Sequence, residues 1–264
     1  MKSVLAIAGS DSSGGAGIQA DIKTIAAHRL FAQSVITALT AQNTTGVYGV
    51  FDVPADFVAQ QIDIVFDDIR PDAVKIGMVS SAEIVEAIAS TLERNGAERI
   101  VVDPVMVATS GSNLASDEAV VALRERLMPL ATVITPNIPE AEVITGLSIA
   151  TPEDQERAAV AAAAALGTAA LVKGGHGMHD ANDVLATPAG EVCWLNAERI
   201  DNPNTHGTGC TLSSAIACGL AQGFSLEEAV RRAKEYLSKA LAAQLNLGRG
   251  SGPLDHMWKL QVRP

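Results

Sequence analysis

Short apolar runs rich in valine and isoleucine alternate with longer stretches in which apolar residues recur every three or four positions. The runs predict buried strands, and stretches such as SAEIVEAIASTLERNG at 81–96 predict amphipathic helices. This alternation favours an α/β fold, with a mainly parallel sheet covered on both faces. We predict one domain over 1–264, in which 249–264 form an irregular C-terminal tail. The predicted strands are SVLAIAG at 3–9, DAVKIGM at 72–78, RIVVDPVM at 99–106, ATVITPN at 131–137 and AALVKGG at 169–175.

Residues typical of helix ends and turns support these boundaries. In TPEDQE, Thr151 is predicted to cap a helix that has proline in its first position and acidic residues in its first turn. Gly96 is predicted to end the helix that precedes it.

Two stretches depart from the helix–strand pattern. Residues 182–200 predict a hairpin that turns at 188–190, and the apolar stretch VYGVFDV at 47–53 predicts a hairpin at a subunit contact.

Composition and charge limit the classes of partner. Hydrophobic residues make up 48% of the 264 residues and aromatic residues only 3%, so aliphatic side chains must fill the core. The net charge of −11 disfavours binding to nucleic acid and to anionic membranes. The same field repels small anions, and any phosphate site must therefore rely on local donors such as helix N-termini, main-chain amides and a few lysines.

The cysteines predict a reducing environment. There are three, an odd number that argues against a disulfide scaffold. Cys210 and Cys218 lie eight positions apart on one predicted helix, about 12 Å, which is too far for a disulfide. The sequence shows neither a signal-peptide core nor an apolar stretch of about 18 residues. We therefore expect a cytoplasmic protein.

The first glycine-rich segment, GSDSSGGAG at 9–17, follows the first predicted strand. It matches neither the phosphate loop of nucleotide-binding proteins, because Gly15 and Ala16 replace its lysine and serine or threonine, nor the dinucleotide motif G-x-G-x-x-G. It therefore has two readings. It is a tight turn into a helix, or it brings the backbone at Gly9 close to a flat ligand and presents Asp21 as a hydrogen-bond acceptor.

The second glycine-rich segment, HGTGC at 206–210, precedes a predicted helix of small residues. The amides of Gly207, Thr208, Gly209 and Cys210 would converge at its N-terminus, where positive partial charge accumulates, and would suit a transferred phosphoryl group. The alternative is a structural turn. The helix end is expected to lower the pKa of the Cys210 thiol, which would serve as a base or line the pocket. Cys218 is assigned to packing.

Four further polar residues lie near predicted strand ends, and each has a structural and a functional reading. Glu140 follows Asn137 by three residues, which is a capping box, but its carboxylate also suits Mg²⁺ waters. Asp103 is either satisfied by turn amides or lies behind the metal or phosphates. Lys173 either extends into solvent or reaches a nucleotide phosphate. His206 is either solvent-exposed or a donor beside the phosphate turn, and its spacing from the other histidines is not typical of zinc sites.

Several motifs together resemble one enzyme family. They are AIAGSDSSGGAGIQAD at 6–21, ALTAQNT at 38–44, KIGM at 75–78, DPVMVATSG at 103–111, TPNIPEAE at 135–142, VKGGH at 172–176 and HGTGCTLSSAIA at 206–217. In this order they resemble the hydroxymethylpyrimidine/phosphomethylpyrimidine kinases of thiamine biosynthesis, within the ribokinase superfamily. The resemblance extends from about Val4 to Asn246. It implies a three-layer α/β/α ribokinase-like fold, two successive ATP- and Mg²⁺-dependent phosphorylations of one pyrimidine, and a homodimer.

The resemblance also implies residue roles. Cys210 stands where many superfamily members have a catalytic aspartate, which argues against a sugar kinase. A flap over the substrate would span 105–113. The implied roles are pyrimidine binding by Gln42, Asp21 and the backbone at Gly9, apolar walls from Met78 and Val105, water-mediated metal binding by Glu140 and Asp103, and ATP contacts from Lys173, Thr208 and His206.

Three alternative functions remain open at this level. A pyridoxal or pyridoxine kinase shares the fold and takes a related hydroxymethyl ring. A Rossmann-type oxidoreductase also has a parallel sheet, although the missing G-x-G-x-x-G argues against it. A catalytically inactive nucleotide sensor would be distinguished only by an activity measurement.

Overall fold

The computed structural model describes residues 1–106, 116–175 and 181–259. Over these ranges, one sheet contains nine strands in the order β3-β2-β1-β4-β5-β6-β7-β8-β9. The strands are β1 (Ser3–Asp11), β2 (Phe31–Asn43), β3 (Gly46–Asp52), β4 (Ala73–Ile76), β5 (Ile100–Val102), β6 (Val133–Ile134), β7 (Ala169–Val172), β8 (Asp183–Ala186) and β9 (Val192–Leu195).

Helices cover both faces of this sheet. A core cluster on one face includes residues of α2, α3, α5 and α6, and a second cluster on the other face includes residues of α1, α7 and α8. The predicted three-layer α/β/α fold is therefore confirmed. The helices are α1 (Gly17–Ala27), α2 (Ala55–Asp68), α3 (Ala82–Arg94), α4 (Asp117–Ala122), α5 (Ile138–Thr145), α6 (Pro152–Leu166), α7 (Thr208–Ala221) and α8 (Leu226–Ala242).

The sheet is parallel in its centre and antiparallel at its edges. Strands β2, β1, β4, β5, β6 and β7 pair in parallel, whereas β3, β8 and β9 pair antiparallel. The central strands β4 and β5 are buried along their whole length, as both covered faces require. All five predicted strands are present. The long strand β2 was not predicted, although it pairs directly with β1.

The predicted turns and caps are confirmed. Thr151 accepts a hydrogen bond from the Asp154 N–H and forms a full capping box at the start of α6. Gly96 follows α3 with a φ of 56°, a left-handed conformation that favours glycine. Strands β8 and β9 form the predicted hairpin, and Gly190 in its turn has a φ of 85°.

The C-terminal segment packs onto the domain. Residues 249–259 contain no helix or extended strand, and Leu254 and His256 are buried. The His256 carbonyl accepts a hydrogen bond of 2.6 Å from the Tyr236 hydroxyl. Over the described ranges, no helix has the length and hydropathy needed to cross a bilayer.

Candidate active site

A cavity of about 760 Å³ opens beyond the carboxyl ends of β1, β4, β5 and β7, next to the N-terminus of α7. This is the edge at which open α/β sheets bind ligands, because the loops after successive parallel strands meet there. The cavity brings together all but one of the site residues that the sequence predicted. Those that line it are Gly9, Gln42, Met78, Asp103, Val105, Glu140, Lys173, His206, Gly207, Thr208, Gly209 and Cys210.

The first turn of α7 forms one wall of the cavity. Gly207 caps the helix with a φ of 85° and no side-chain cap bond, and the first turn carries no acidic residue. A Cβ at Gly207 would lie 2.0 Å from the Gly15 carbonyl oxygen, so only glycine fits between the two loops. No side chain caps the helix end that lines the cavity, and such a helix end suits an anion.

Asp103 and Lys173 form an ion pair behind this turn. The Lys173 Nζ lies 2.9 Å from the Asp103 Oδ1, which also accepts a 2.9 Å hydrogen bond from the Thr135 hydroxyl. Side chains rather than turn amides satisfy Asp103, and Lys173 does not extend into solvent, since its side chain is only 14% exposed. Burial alone would lower the pKa of Lys173, but Asp103 and Glu140 raise it. The lysine is therefore charged beside the helix end.

Glu140 has the capping role that its sequence context suggested, and it also lies at the cavity wall. Its carboxylate accepts a 2.8 Å hydrogen bond from the Asn137 N–H and completes the predicted capping box of α5. It is buried at the cavity wall, and burial together with nearby Asp103 raises its pKa to about 7, although Lys173 opposes the shift. The negative charges of Glu140 and Asp103 repel each other. A cation between the two carboxylates would stabilise the ionised form of both.

These carboxylates fit Mg²⁺ but not a fully protein-ligated metal. No group of three or more His, Cys, Asp or Glu side chains over the described residues has the arrangement of a metal centre. Mg²⁺ commonly takes one or two carboxylates and completes its shell with water and substrate phosphates. Glu140 and Asp103 supply that donor set.

The expectation that the helix end lowers the pKa of Cys210 is wrong. Burial raises the pKa of this thiol to about 11, although Lys75 and a hydrogen bond from the Gly17 N–H oppose the shift. Because desolvation outweighs the nearby donors, Cys210 is a neutral thiol at pH 7. Cys218 is fully buried in the core, as the packing assignment predicted.

Asp21 does not line the cavity, so its prediction as a direct substrate acceptor is wrong. Its carboxylate has no solvent exposure and contacts the Lys75 Nζ at 2.8 and 2.9 Å. The Ser214 hydroxyl on α7 donates a further 2.8 Å hydrogen bond to Asp21. The pair therefore joins α1, β4 and α7 beneath the site. Lys75 was missed, although a lysine within the otherwise apolar strand AVKI signals a buried partner.

Gly9, Met78 and Val105 form an apolar part of the cavity wall. A Cβ at Gly9 would lie 3.1 Å from the Met78 sulfur, so glycine allows the backbone and Met78 to approach each other. Gln42 lines the same cavity, and its side chain lies 3.2 Å from the His206 ring. Most of the flap predicted at 105–113 lies outside the described residues.

His206 is buried, and its Nε2 is not free to donate a hydrogen bond to a phosphate. This nitrogen lies 2.8 Å from the Asp11 carboxylate, and the residue is only 7% exposed. A capping aspartate was one reading of the turn at 9–17, and Asp11 does accept main-chain hydrogen bonds there. Its pairing with His206 was missed.

Another largely buried ion pair borders the cavity and was also missed. The Asp183 carboxylate accepts a 2.8 Å hydrogen bond from the Gly174 N–H and is paired with the Lys234 ammonium of α8. Leu237 and Leu241 of α8 add apolar surface there. This part of the cavity therefore offers an apolar wall next to the Lys173 loop.

Comparison with known proteins identifies the family. The family model described as phosphomethylpyrimidine kinase matches residues 11–255. A hydroxymethylpyrimidine/phosphomethylpyrimidine kinase from Streptomyces coelicolor is 51% identical over 97% of this chain and 95% of its own length. One from Rhizobium meliloti is 52% identical over 97% of this chain and 98% of its own length.

Solved structures agree with this assignment. A phosphomethylpyrimidine kinase from Clostridium difficile 630 superposes with a TM-score of 0.81 and 46% identity, covering 91% of this chain and 99% of its own. The ADP complex of Bacillus subtilis pyridoxal kinase superposes with a TM-score of 0.91 and 37% identity, covering 98% and 99%. These matches show a phosphotransferase, and the chain belongs to the phosphomethylpyrimidine kinase family.

Proposed function

We propose that this chain uses ATP and Mg²⁺ to phosphorylate 4-amino-5-hydroxymethyl-2-methylpyrimidine, and then its monophosphate to the diphosphate, in thiamine biosynthesis. One observation carries the proposal. A single cavity connects the α7 helix end at 207–210 with the apolar wall of Gly9, Met78 and Val105. A phosphoryl donor and a small ring substrate would therefore meet in line inside one space.

The pyrimidine would bind at the wall formed by Gly9, Met78 and Val105. Its flat ring would lie against the close-packed backbone of Gly9 and the side chains of Met78 and Val105. Gln42 is the polar side chain on that wall and would recognise a ring nitrogen or the amino group. Asp21 would not contact the ring. It would hold Lys75 in place beneath the site through their ion pair.

The phosphates would bind at the α7 helix end. The amides from Gly207 to Cys210 and the charged Lys173 would stabilise the negative charge on the transferred group. Thr208, the first residue of α7, lines the same wall and would contact ATP. Glu140 and Asp103 would hold Mg²⁺ through water, and the ion would offset phosphate charge.

Cys210 would act mainly as a wall of this pocket. A protonated thiol cannot accept the proton of the attacking hydroxyl, and burial keeps Cys210 protonated at neutral pH. In a loose phosphoryl-transfer transition state that proton leaves late, so positioning and charge stabilisation account for most of the rate. This division of roles is compatible with a cysteine where related kinases use aspartate.

A pyridoxal kinase is the second candidate. The observation that favours it is the superposition on Bacillus subtilis pyridoxal kinase with a TM-score of 0.91 over 98% of this chain. Identity to that protein is 37%, compared with 51% to the Streptomyces coelicolor pyrimidine kinase. The pyrimidine is therefore the preferred substrate class.

A coupled assay for ADP release tests the proposal with three substrates, namely the pyrimidine, its monophosphate and pyridoxal. We expect turnover of the first two, with kcat/KM for pyridoxal at least about tenfold lower, as expected for a pocket shaped for another ring. Turnover of pyridoxal alone would favour the second candidate. ATP binding without turnover of any of the three would identify a nucleotide sensor.

We also propose that the protein is a cytoplasmic homodimer. Strand β3 lies at the edge of the sheet and exposes Tyr48 and Phe51 at 69% and 68%. An edge strand with large exposed apolar side chains is a common site of subunit pairing. The three cysteines are free, which suits a reducing compartment.

A further inference from the structure

Asp11 connects two loops that line the active-site cavity and contact each other, the glycine-rich loop after β1 and the turn before α7. Its Oδ2 accepts hydrogen bonds from the N–H groups of Gly15 and Ala16 at 3.0 and 2.8 Å, and Oδ1 accepts two from Ser13 at 2.8 Å. The same Oδ2 lies 2.8 Å from the His206 Nε2, immediately before the phosphate turn. One buried carboxylate therefore holds the glycine-rich loop after β1 and the residue that leads into α7.

The proton on His206 follows from the charge on Asp11. Burial alone would raise the pKa of Asp11, but hydrogen bonds from His206, Ser13 and main-chain amides lower it to about 2. The carboxylate is therefore ionised at neutral pH and only accepts hydrogen bonds. Since its partner must donate, the His206 ring carries a proton on Nε2.

That proton also orients the Gln42 amide. One end of the amide lies 3.2 Å from the His206 Nε2, and the other lies 3.2 Å from the Thr40 hydroxyl. A protonated Nε2 cannot accept a hydrogen bond from the amide N–H of Gln42. The Thr40 oxygen can accept one, because the Thr40 hydroxyl donates its own proton to the Ser10 carbonyl. We therefore assign the amide with its oxygen, rather than its nitrogen, towards His206, which links the pair of Asp11 and His206 to the Gln42 side chain at the cavity wall.

Packing leaves the phosphate turn little freedom relative to the glycine-rich loop. A Cβ on Gly15 would lie 2.4 Å from the His206 Cδ2, so the ring rests directly on the loop. From the other side, the His206 N–H donates a 3.2 Å hydrogen bond to the Gly252 carbonyl of the C-terminal segment. A shift of His206 would move the amides of Gly207 to Cys210, because they follow it directly in the chain.

We infer that Asp11 is a positioning residue for phosphoryl transfer, which acts through His206 to set the distance between the phosphate turn and the substrate wall. The inference rests on the proposed function and extends it to residues that do not need to touch either substrate. Displacing catalytic groups by about 1 Å can cost about 100-fold in rate, which is the size of effect such a link can have.

Asp11→Asn and His206→Ala test the link by steady-state kinetics. We expect kcat to fall about 30- to 100-fold in each, with KM for ATP and for the pyrimidine changed less than about threefold, because contacts remain while their alignment is lost. His206→Gln keeps an N–H near the position of Nε2. Its kcat should be at least about tenfold higher than that of His206→Ala. The double variant should be no more than about threefold slower than the slower single variant.

Asp72→Asn is the matched control. Asp72 also accepts hydrogen bonds from a cation and a main-chain amide, Lys2 at 2.7 Å and Ser3 at 2.9 Å, but it does not line the cavity. An equal loss of kcat in Asp72→Asn would overturn the inference. So would additive losses in the double variant, or a raised KM for ATP with unchanged kcat, which would make His206 a nucleotide contact.

Hydrogen exchange separates this inference from the proposed function. Asp11→Asn should increase deuterium uptake in a peptide covering 205–212 and leave a peptide of α3 unchanged, whatever the substrate. If the wild-type chain does not phosphorylate the pyrimidine but this change is seen, the proposed function fails and the structural link stands. Unchanged uptake at 205–212 would overturn the link itself.

Discussion

Cys210 lies where two local effects oppose each other. The N–H of Gly17 and the positive charge of Lys75 favour the thiolate, while burial favours the thiol, and burial is the larger effect. The sequence showed the helix end but could not show the depth of the site. The chemistry of this residue is therefore set by its environment rather than by its type.

Alkylation rates should show a high pKa for Cys210. In a Cys193→Ser variant, where Cys218 is fully buried, iodoacetamide should label Cys210 slowly at pH 7 and progressively faster as the pH rises above 9. The reason is that only the thiolate reacts and burial raises its pKa to about 11. A labelling profile with a midpoint below pH 8.5 would contradict the neutral thiol.

Glu140→Gln should stabilise the metal-free protein at high pH. Burial and Asp103 raise the pKa of Glu140 from 4.5 to about 7, so its contribution to stability is complete below pH 4.5 and is lost as the pH rises through 7. Urea unfolding in EDTA should show the variant more stable than wild type by about 1–3 kcal/mol at pH 8. Near pH 5 the difference should be small.

The control for this prediction is Glu142→Gln on the same helix. Glu142 also accepts a main-chain hydrogen bond, from the Ile149 N–H at 2.8 Å, but it does not line the cavity. A similar gain at pH 8 in Glu142→Gln would mean that the effect is general to α5. If Glu140→Gln is less stable than wild type at pH 8, the buried charge is compensated and the prediction is wrong.

At the scale of elements, the approach of two loops determines the site. The turn before α7 passes so close to the loop after β1 that a Cβ at Gly207 would lie 2.0 Å from the Gly15 oxygen. The proposed phosphate site therefore depends on the contact between these loops as much as on the helix. The Gly-Thr-Gly pattern predicted the helix end, but the loop that meets it lies almost 200 residues earlier in the chain.

Gly207→Ala should reduce kcat by at least about 100-fold, because relief of the clash displaces the phosphate turn. Gly167→Ala is the control, since Gly167 also has a left-handed φ of 68° but has no atom within 4 Å of the added carbon. We expect it to cost about 1 kcal/mol of stability and to leave kcat unchanged. Equal effects of the two variants on kcat would show that the contact with Gly15 is unimportant.

Strand β2 shows where reasoning about single elements failed. It alternates exposed and buried positions over 13 residues and contains glutamine, serine, threonine and asparagine. It therefore lacks the continuous apolar run by which the other parallel strands were recognised. Its partner strand β3 exposes most of its side chains. The stretch that forms β3 was predicted as an apolar hairpin at a subunit contact. That contact stays a prediction.

For the whole molecule, we expect a dimer formed through the edge of the sheet at β3. Light scattering with size exclusion should give twice the mass of the 27.3 kDa chain. Phe51→Glu should give a monomer with an unchanged far-UV spectrum, because the charge would be buried in the interface. Val121→Glu, at a position 46% exposed on α4, should leave the dimer intact. A monomeric wild type would contradict the prediction.

Local patterns were enough to predict the alternating strands and helices, the three layers, the caps at Thr151 and Gly96 and the two glycine-rich turns. These features depend on residues within a few positions of one another, and their periodicity is visible in the chain itself. The ion pair and the hydrogen-bonded pair at the site were not visible in this way. Lys75 meets Asp21 across 54 positions, and His206 meets Asp11 across 195. Such partners, and the pKa values that follow from their burial, depend on how the sheet brings distant loops together at one edge.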